Sequence, residues 1–192
     1  MRLPSLSLLS TLWLSAEFIL MLVTRFKSGT KASGAKSRDR ASLPLIWIIC
    51  AASSWLGIYV AMKWHSWPWP LPDALKPVGY WIFIVGVLFR WYAIYYLGRF
   101  FTPNVVILEK HRLIETGPYR LIRHPTYAGA LFALLGVTLT MGNLLSLLII
   151  FIPIISVVAW RMRIEEAALV EAFGDEYRDY MRRTKRLIPF VF

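Results

Sequence analysis

The longest uncharged stretch of the sequence covers residues 125–160, which are 36 consecutive positions without an acidic or basic side chain. A bilayer core of roughly 30 Å needs about 20 apolar residues in a helix, so this stretch is too long for one crossing. Gly142 and Asn143 divide it into halves of 17 residues, and both residue types favour turns. We therefore predict two short helices joined in a tight hairpin.

Three further apolar stretches, residues 3–24, 41–62 and 77–97, are each long enough for one crossing. The chain is 57% hydrophobic, against roughly 45–50% in typical soluble domains. This composition argues against a disordered chain and against a soluble globular enzyme. Together the stretches predict an all-α integral membrane protein with five transmembrane helices, the last two forming the helical hairpin.

The basic residues indicate how the chain crosses the membrane. The formal net charge is +11, and 18 of the 22 Lys and Arg residues lie in segments 25–42, 98–124 and 161–192. Five crossings place these segments on one side, and Lys and Arg collect on the cytoplasmic side. We expect the N-terminus outside, and the polar segments and the C-terminal helix in the cytoplasm, at a bacterial inner membrane or the endoplasmic reticulum. Topology therefore explains the charge, and nucleic acid is not an expected partner.

The chain is expected to form one compact unit with two regions. Residues 1–97 would hold the first three spans, and residues 98–192 the catalytic region with spans four and five and the cytoplasmic C-terminal segment. The sequence has one cysteine, Cys50, and only three histidines. This inventory predicts neither a disulfide framework nor a metal site.

Three polar motifs follow one another in the second region. A G-x-Y-x-x-x-R-H-P-x-Y-x-G run covers residues 117–129, a Glu pair stands at Glu165 and Glu166, and F-G-x-E-Y-x-x-Y begins at Phe173, with Ile188-Pro189 near the end. In this order, and with a helical hairpin between them, they resemble the isoprenylcysteine carboxyl methyltransferase family. The related phospholipid methyltransferases share the R-H-P-x-Y-x-G and E-E motifs.

The resemblance implies methyl transfer from S-adenosylmethionine to the carboxylate of a prenylated cysteine. It implies as partners a lipid-modified or amphiphilic small substrate and membrane lipid, and no metal. By position, Arg161 would hold the substrate carboxylate, and Glu165 the polar end of the cofactor. Further cofactor contacts implied by the resemblance are His111, Arg112, Leu113, Ile114, Tyr119, His124, Pro125, Thr126 and Tyr127.

The residue types suit this chemistry. A carboxylate nucleophile is ionised at pH 7 and needs no general base, but it needs a cation to hold it in line, which Arg does with two parallel hydrogen bonds. The sequence contains no G-x-G-x-x-G run, so a Rossmann-type cofactor site is not supported.

Ordinary structural interpretations stand beside these roles. Arg161 and Glu165 could form a helix-surface pair, or Arg161 could reach the lipid headgroups. His124 could begin a helix with Pro125 at its first position. Glu166, about 100° further round the helix, should matter less than Glu165 for the cofactor.

The C-terminal motif has structural interpretations as well. Phe173, Tyr177 and Tyr180 have helical spacing and are expected to pack or to anchor an interface. Four basic residues are expected on a face exposed to solvent or to lipid headgroups, namely Arg182, Arg183, Lys185 and Arg186.

Two other functions remain open. The protein could methylate the amine or hydroxyl of a phospholipid or small amphiphile, or it could be a non-enzymatic membrane protein whose basic loops bind anionic lipid or a partner.

One further expectation concerns Glu17 and Arg90, which each lie seven residues before the cytoplasmic end of their spans. Intramembrane charges usually pair, so we expect these two to meet.

Overall fold

The computed structural model describes residues 42–64, 69–101 and 113–188. The helices in these parts of the chain are α1 (Ser42–Lys63), α2 (Leu75–Leu97), α3 (Pro125–Thr140), α4 (Leu144–Phe173) and α5 (Asp175–Arg183). Two short 3-10 turns, Gly98–Phe100 and Gly117–Arg120, lie between α2 and α3. The prediction of an all-helical membrane protein is confirmed for these residues.

Three of the helices, α1, α2 and α4, are long and apolar enough to cross a membrane, and α3 is a shorter apolar helix. The predicted spans 41–62 and 77–97 agree with α1 and α2 to within two residues. The first predicted span and Glu17 lie outside the described residues, so the count of five spans and the Glu17–Arg90 pair stay predictions. Arg90 itself donates through Nη1 to the Thr126 carbonyl at 3.0 Å.

The predicted hairpin is present between α3 and α4. Gly142 has a φ of 69°, a left-handed conformation that glycine adopts readily. Asn143 caps α4, because its Oδ1 accepts from Ser146 N at 3.0 Å, as N-cap residues do. Asn143 Nδ2 also donates to the Trp64 carbonyl at 2.8 Å, which ties the hairpin turn to the end of α1.

The prediction of two short helices is wrong for the second one. Helix α3 has 16 residues, but α4 has 30 and continues to Phe173. No proline or glycine interrupts residues 154–173, so the charges after Trp160 do not end the helix. It ends at Gly174, which has a φ of 58°. The apolar span and the polar motif around Arg161 are therefore parts of one helix.

Helices α2 and α3 pack backbone to backbone and antiparallel. A methyl group at Gly136 would lie 2.3 Å from Phe83 N, and one at Gly86 would lie 2.4 Å from Ala133 N. A methyl group at Gly129 would lie 2.6 Å from Arg90 N. Small residues allow this approach between membrane helices, where packing replaces the hydrophobic effect. The contact fixes the start of α3, and with it the polar segment that precedes the helix.

Helix α1 packs on the other side of the hairpin, against α4. A methyl group at Gly57 would lie 2.3 Å from Ile150 Cγ1, and Ile150 is among the most buried side chains of the central apolar cluster. The cluster continues along α4 through Ile154 and Val158 to Met162. The cluster ends beside the polar end of α4, so apolar packing supports the helix up to that point.

We predict that Gly136→Ala lowers the stability of the protein by about 1–3 kcal/mol, because the added methyl group must separate two helices in contact. The measurement is the midpoint of thermal unfolding in detergent. Val85→Ala is the matched control, since Val85 lies on the outward face of α2 and is 57% exposed. Equal midpoints for Gly136→Ala and the wild type would contradict the prediction.

Candidate active site

Two segments far apart in sequence lie side by side before α3. Ile122 and Lys185 form a parallel bridge. Arg123 N donates to the Lys185 carbonyl at 2.7 Å, and His124 N donates to the Arg186 carbonyl at 3.0 Å. The backbone of the C-terminal segment thus holds the residues that immediately precede α3.

Glu166 on α4 lies at the centre of an ion cluster. Its Oε1 accepts from Arg123 Nε at 2.9 Å and lies 3.3 Å from His124 Nε2. Its Oε2 accepts from Arg186 Nη2 at 2.6 Å and from Arg186 Nε at 3.0 Å. The Glu166 side chain is 4% exposed, and a buried carboxylate is tolerated when it is paired and hydrogen-bonded. This cluster fastens both segments to α4.

Arg123 extends the cluster to the end of α5. Its Nη1 donates to the carbonyl of Met181 at 3.0 Å and also to the carbonyl of Thr184. The guanidinium therefore bridges a carboxylate on α4 and the last backbone carbonyls of α5, which favour a cation.

Glu165 and Arg161 occupy the same end of α4. Glu165 Oε2 accepts from the Tyr127 hydroxyl at 3.0 Å, and Glu165 is half-buried. Arg161 is 2% exposed and interacts with the Tyr127 hydroxyl. The hydroxyl of Tyr127 therefore stands between a carboxylate and a guanidinium, and the His124 ring lies 5.6 Å from the Tyr127 ring.

Tyr180 joins α5 to the turn Gly117–Arg120, and Tyr119 joins that turn to α2. The Tyr180 hydroxyl donates to the Tyr119 carbonyl at 2.6 Å, and the Tyr119 hydroxyl donates to the Ala93 carbonyl at 3.4 Å. Burial raises the pKa of Tyr119, Tyr177 and Tyr180 above the ordinary value. These hydroxyls therefore stay protonated at physiological pH, and those of Tyr119 and Tyr180 act as donors. The expectation that Tyr177 and Tyr180 pack is confirmed.

The structure brings several predicted site residues together at one end of the helices. His124 is the N-cap of α3, Pro125 is its first residue, and Tyr127 lies in its first turn. Thr126 is half-buried there, and Leu113 and Ile114 are half-buried in the segment that leads to the turn at Gly117. His111 and Arg112 lie outside the described residues.

The environments of Arg161, His124 and Arg186 decide between the structural interpretations of these residues. Arg161 is buried, so neither a helix-surface pair nor a reach to the headgroups describes it. His124 does begin a helix with Pro125 at the first position, and its side chain also joins the cluster of Glu166. The interpretation of Arg186 as part of an exposed face is wrong, because its guanidinium binds the buried carboxylate of Glu166.

Sequence reasoning missed that Glu166 and Arg186 are partners. They lie 20 positions apart, beyond any helical spacing that would connect them. The sequence therefore offers no local signal of this pair. Within residues 42–64, 69–101 and 113–188, no three His, Cys, Asp or Glu side chains are grouped as metal ligands.

The chain is similar to known methyltransferases. A family model described as phospholipid methyltransferase matches residues 75–176. Protein-S-isoprenylcysteine O-methyltransferase B of Arabidopsis thaliana is 26% identical over 179 residues, which are 92% of this chain and 87% of the plant protein. A probable protein-S-isoprenylcysteine O-methyltransferase of Oryza sativa subsp. indica is 34% identical over 116 residues, which are 59% of this chain and 61% of that protein.

A solved structure is similar as well. It is that of the eukaryotic intramembrane Ras methyltransferase, isoprenylcysteine carboxyl methyltransferase, without a monobody. The TM-score is 0.58 at 27% sequence identity, and the match covers 76% of this chain and 52% of the solved one. The chain thus spans about half the length of that protein.

We predict that Tyr180→Phe destabilises the protein by about 1–3 kcal/mol, because it leaves the buried Tyr119 carbonyl without its donor. Unfolding in detergent, followed by circular dichroism, measures the loss. Tyr95→Phe removes a hydroxyl from a side chain that is 85% exposed and serves as the control. If both variants unfold at the same temperature, the hydrogen bond contributes nothing to stability.

Proposed function

The chain belongs to the phospholipid methyltransferase family and, within it, to the isoprenylcysteine carboxyl methyltransferases, and from this premise we propose its reaction and site. It is an integral-membrane methyltransferase that transfers a methyl group to the carboxylate of an isoprenylcysteine-like substrate. The observation that carries the proposal is the buried guanidinium of Arg161 at the polar end of a membrane-spanning helix, beside Glu165 and Tyr127.

Arg161 has the properties that a carboxylate nucleophile requires of its binding group. The guanidinium offers parallel N–H donors that match a carboxylate, and it stays charged when buried. Methyl transfer is an in-line displacement, so the work of the site is orientation and the exclusion of water. Arg161 fixes the carboxylate, and no side chain has to remove a proton from it.

We propose S-adenosylmethionine as the methyl donor, which when bound supplies a methyl group on a positively charged sulfur. The side chains present fit this donor: Glu165 provides a half-buried carboxylate for its charged polar end, and Tyr127 and His124 provide aromatic faces, which attract cations such as the sulfur. The remaining contacts carried over from the family are His111, Arg112, Leu113, Ile114, Tyr119, Pro125 and Thr126.

The proposed orientation in the membrane follows from charge. The site lies at the end of α4 where Arg161, Arg163 and the basic C-terminal segment stand, and Lys and Arg favour the cytoplasmic side. We place the site and the C-terminus in the cytoplasm and the N-terminus outside. A substrate with a lipid tail would then enter from the bilayer, and the charged cofactor would enter from water.

A second candidate is the methylation of a phospholipid or small amphiphile, which the matching family model favours by its description. An amine nucleophile would have to lose a proton before it attacks the methyl group, unlike a carboxylate. One assay with a farnesylated cysteine analogue and with phosphatidylethanolamine separates the two substrates. Isothermal titration with S-adenosylhomocysteine tests cofactor binding, and a protein that neither binds it nor transfers a methyl group would refute both candidates.

We predict that Arg161→Lys loses nearly all turnover while its affinity for S-adenosylhomocysteine stays close to the wild-type value. Lysine keeps the charge but offers a point charge in place of the planar fork, so the carboxylate is no longer held in line. Methyl-transfer assays and calorimetry measure the two quantities. Normal turnover in Arg161→Ala would refute the role of Arg161.

We predict that Glu165→Gln weakens the binding of S-adenosylhomocysteine by about ten-fold to a hundred-fold. A hydrogen bond to a charged group contributes roughly 1.5–3 kcal/mol, and about 1.4 kcal/mol corresponds to ten-fold in affinity. Glu176→Gln, an exposed change in the first turn of α5, is the control. Unchanged affinity in Glu165→Gln would remove this residue from the cofactor site.

A further inference from the structure

We propose that Glu166 is a positioning residue for methyl transfer, which acts through His124 and the first turn of α3 and not by contact with substrate or cofactor. The inference rests on the proposed function. It goes beyond the family resemblance, which implies a cofactor contact for Glu165 and gives Glu166 no role.

Both carboxylate oxygens of Glu166 are in contact with other groups of the protein. Oε1 faces Arg123 Nε and His124 Nε2, and Oε2 faces the guanidinium of Arg186. A carboxylate has about four lone-pair sites, and these partners fill most of them. Glu166 is therefore engaged in holding the protein together, in contrast to the half-buried Glu165.

The two adjacent glutamates hold neighbouring residues of α3. Glu166 binds the ring of His124 at the N-cap, and Glu165 binds the hydroxyl of Tyr127 in the first turn. Because both glutamates belong to α4, the start of α3 is fixed relative to Arg161 on the same helix. A site that works by orientation depends on this placement.

Glu166 also determines which nitrogen of His124 carries the proton. An ionised carboxylate can only accept, so His124 Nε2 must carry the hydrogen in this contact. In a neutral imidazole, the partner of one ring nitrogen sets the role of the other. Nδ1 of a neutral His124 ring is then the acceptor. Glu166 thereby fixes both the position and the hydrogen-bonding polarity of the ring.

Arg186 closes the cluster from the outside. Its side chain is 26% exposed, whereas that of Glu166 is 4% exposed. Its backbone carbonyl accepts from His124 N at 3.0 Å, so one residue holds the backbone of His124 and, through Glu166, its ring. A substitution at Arg186 should therefore weaken the same contacts of Glu166 and His124 less than a substitution at Glu166.

The test is Glu166→Gln in the full chain, which keeps the shape of the side chain and removes its charge. We expect kcat for the farnesylated cysteine analogue to fall at least ten-fold. The Kd for S-adenosylhomocysteine should change less than in Glu165→Gln. Nitrogen-15 NMR of labelled histidine should show that the His124 ring changes from the single Nε2–H tautomer towards the mixture of tautomers typical of a free ring. The His124 signals are assigned from their loss in His124→Gln.

A second variant and a control separate positioning from stability. Arg186→Lys keeps the charge at the edge of the cluster and should give a smaller change in the same direction, which tests the proposal even if Glu166→Gln does not fold. Val60→Ala removes two methyl groups from a side chain that is 4% exposed, near the end of α1 that is tied to the hairpin turn and lies away from the site. It should lower the unfolding temperature while the folded protein keeps the wild-type kcat and the His124 spectrum.

Two results would overturn the proposal: wild-type kcat and His124 signals in folded Glu166→Gln or Arg186→Lys, or an equal loss of kcat in Val60→Ala. A failure of the proposed function is a different result. In that case the wild type itself would not bind S-adenosylhomocysteine or transfer a methyl group, while the His124 spectrum of Glu166→Gln would still show whether Glu166 fixes the ring.

Discussion

The carboxylate of Glu166 is buried among Arg123, His124 and Arg186, and removing one partner from such a cluster leaves an uncompensated buried charge. Because the loss of any partner is costly, the cluster holds three parts of the chain together: the polar end of α4, the segment before α3 and the C-terminal segment. Apolar contacts accompany the ion cluster, because Leu187 packs against the central apolar cluster and Ile122 is buried. The site therefore depends on an electrostatic contact as well as on the apolar packing that holds the rest of the molecule.

The packing of α2 against α3 provides the second constraint. The glycines between these helices allow the backbones to touch, and this contact brings Arg90 close enough to donate to the Thr126 carbonyl in the first turn of α3. The start of α3 is thus fixed by α2 on one side and by α4 on the other. The 16-residue helix has little freedom to tilt, which keeps Tyr127 beside Glu165.

Apolar length and turn chemistry were enough to predict α1, α2 and the turn at Gly142, because these features follow from neighbouring residues. The predicted end of α4 near Trp160 is too early, because the charged residues there do not break a helix and no helix-breaking residue follows until Gly174. The family motifs marked Glu165 and Arg161, and their roles stay predictions. The partnership of Glu166 with Arg186 could not be predicted, because only the tertiary fold brings residues 20 positions apart on different segments into contact.

The balance of charge at this end of the molecule bears on the kind of substrate that the proposed site accepts. Arg123 and Arg186 bind the carboxylate of Glu166, whereas Arg161 interacts with the hydroxyl of Tyr127, which donates to Glu165. Arg161 is therefore the guanidinium that the proposed function assigns to the substrate carboxylate. An anionic substrate would bring opposite charges together at Arg161. An amine substrate, which is cationic until it loses a proton, would instead add a like charge next to Arg161.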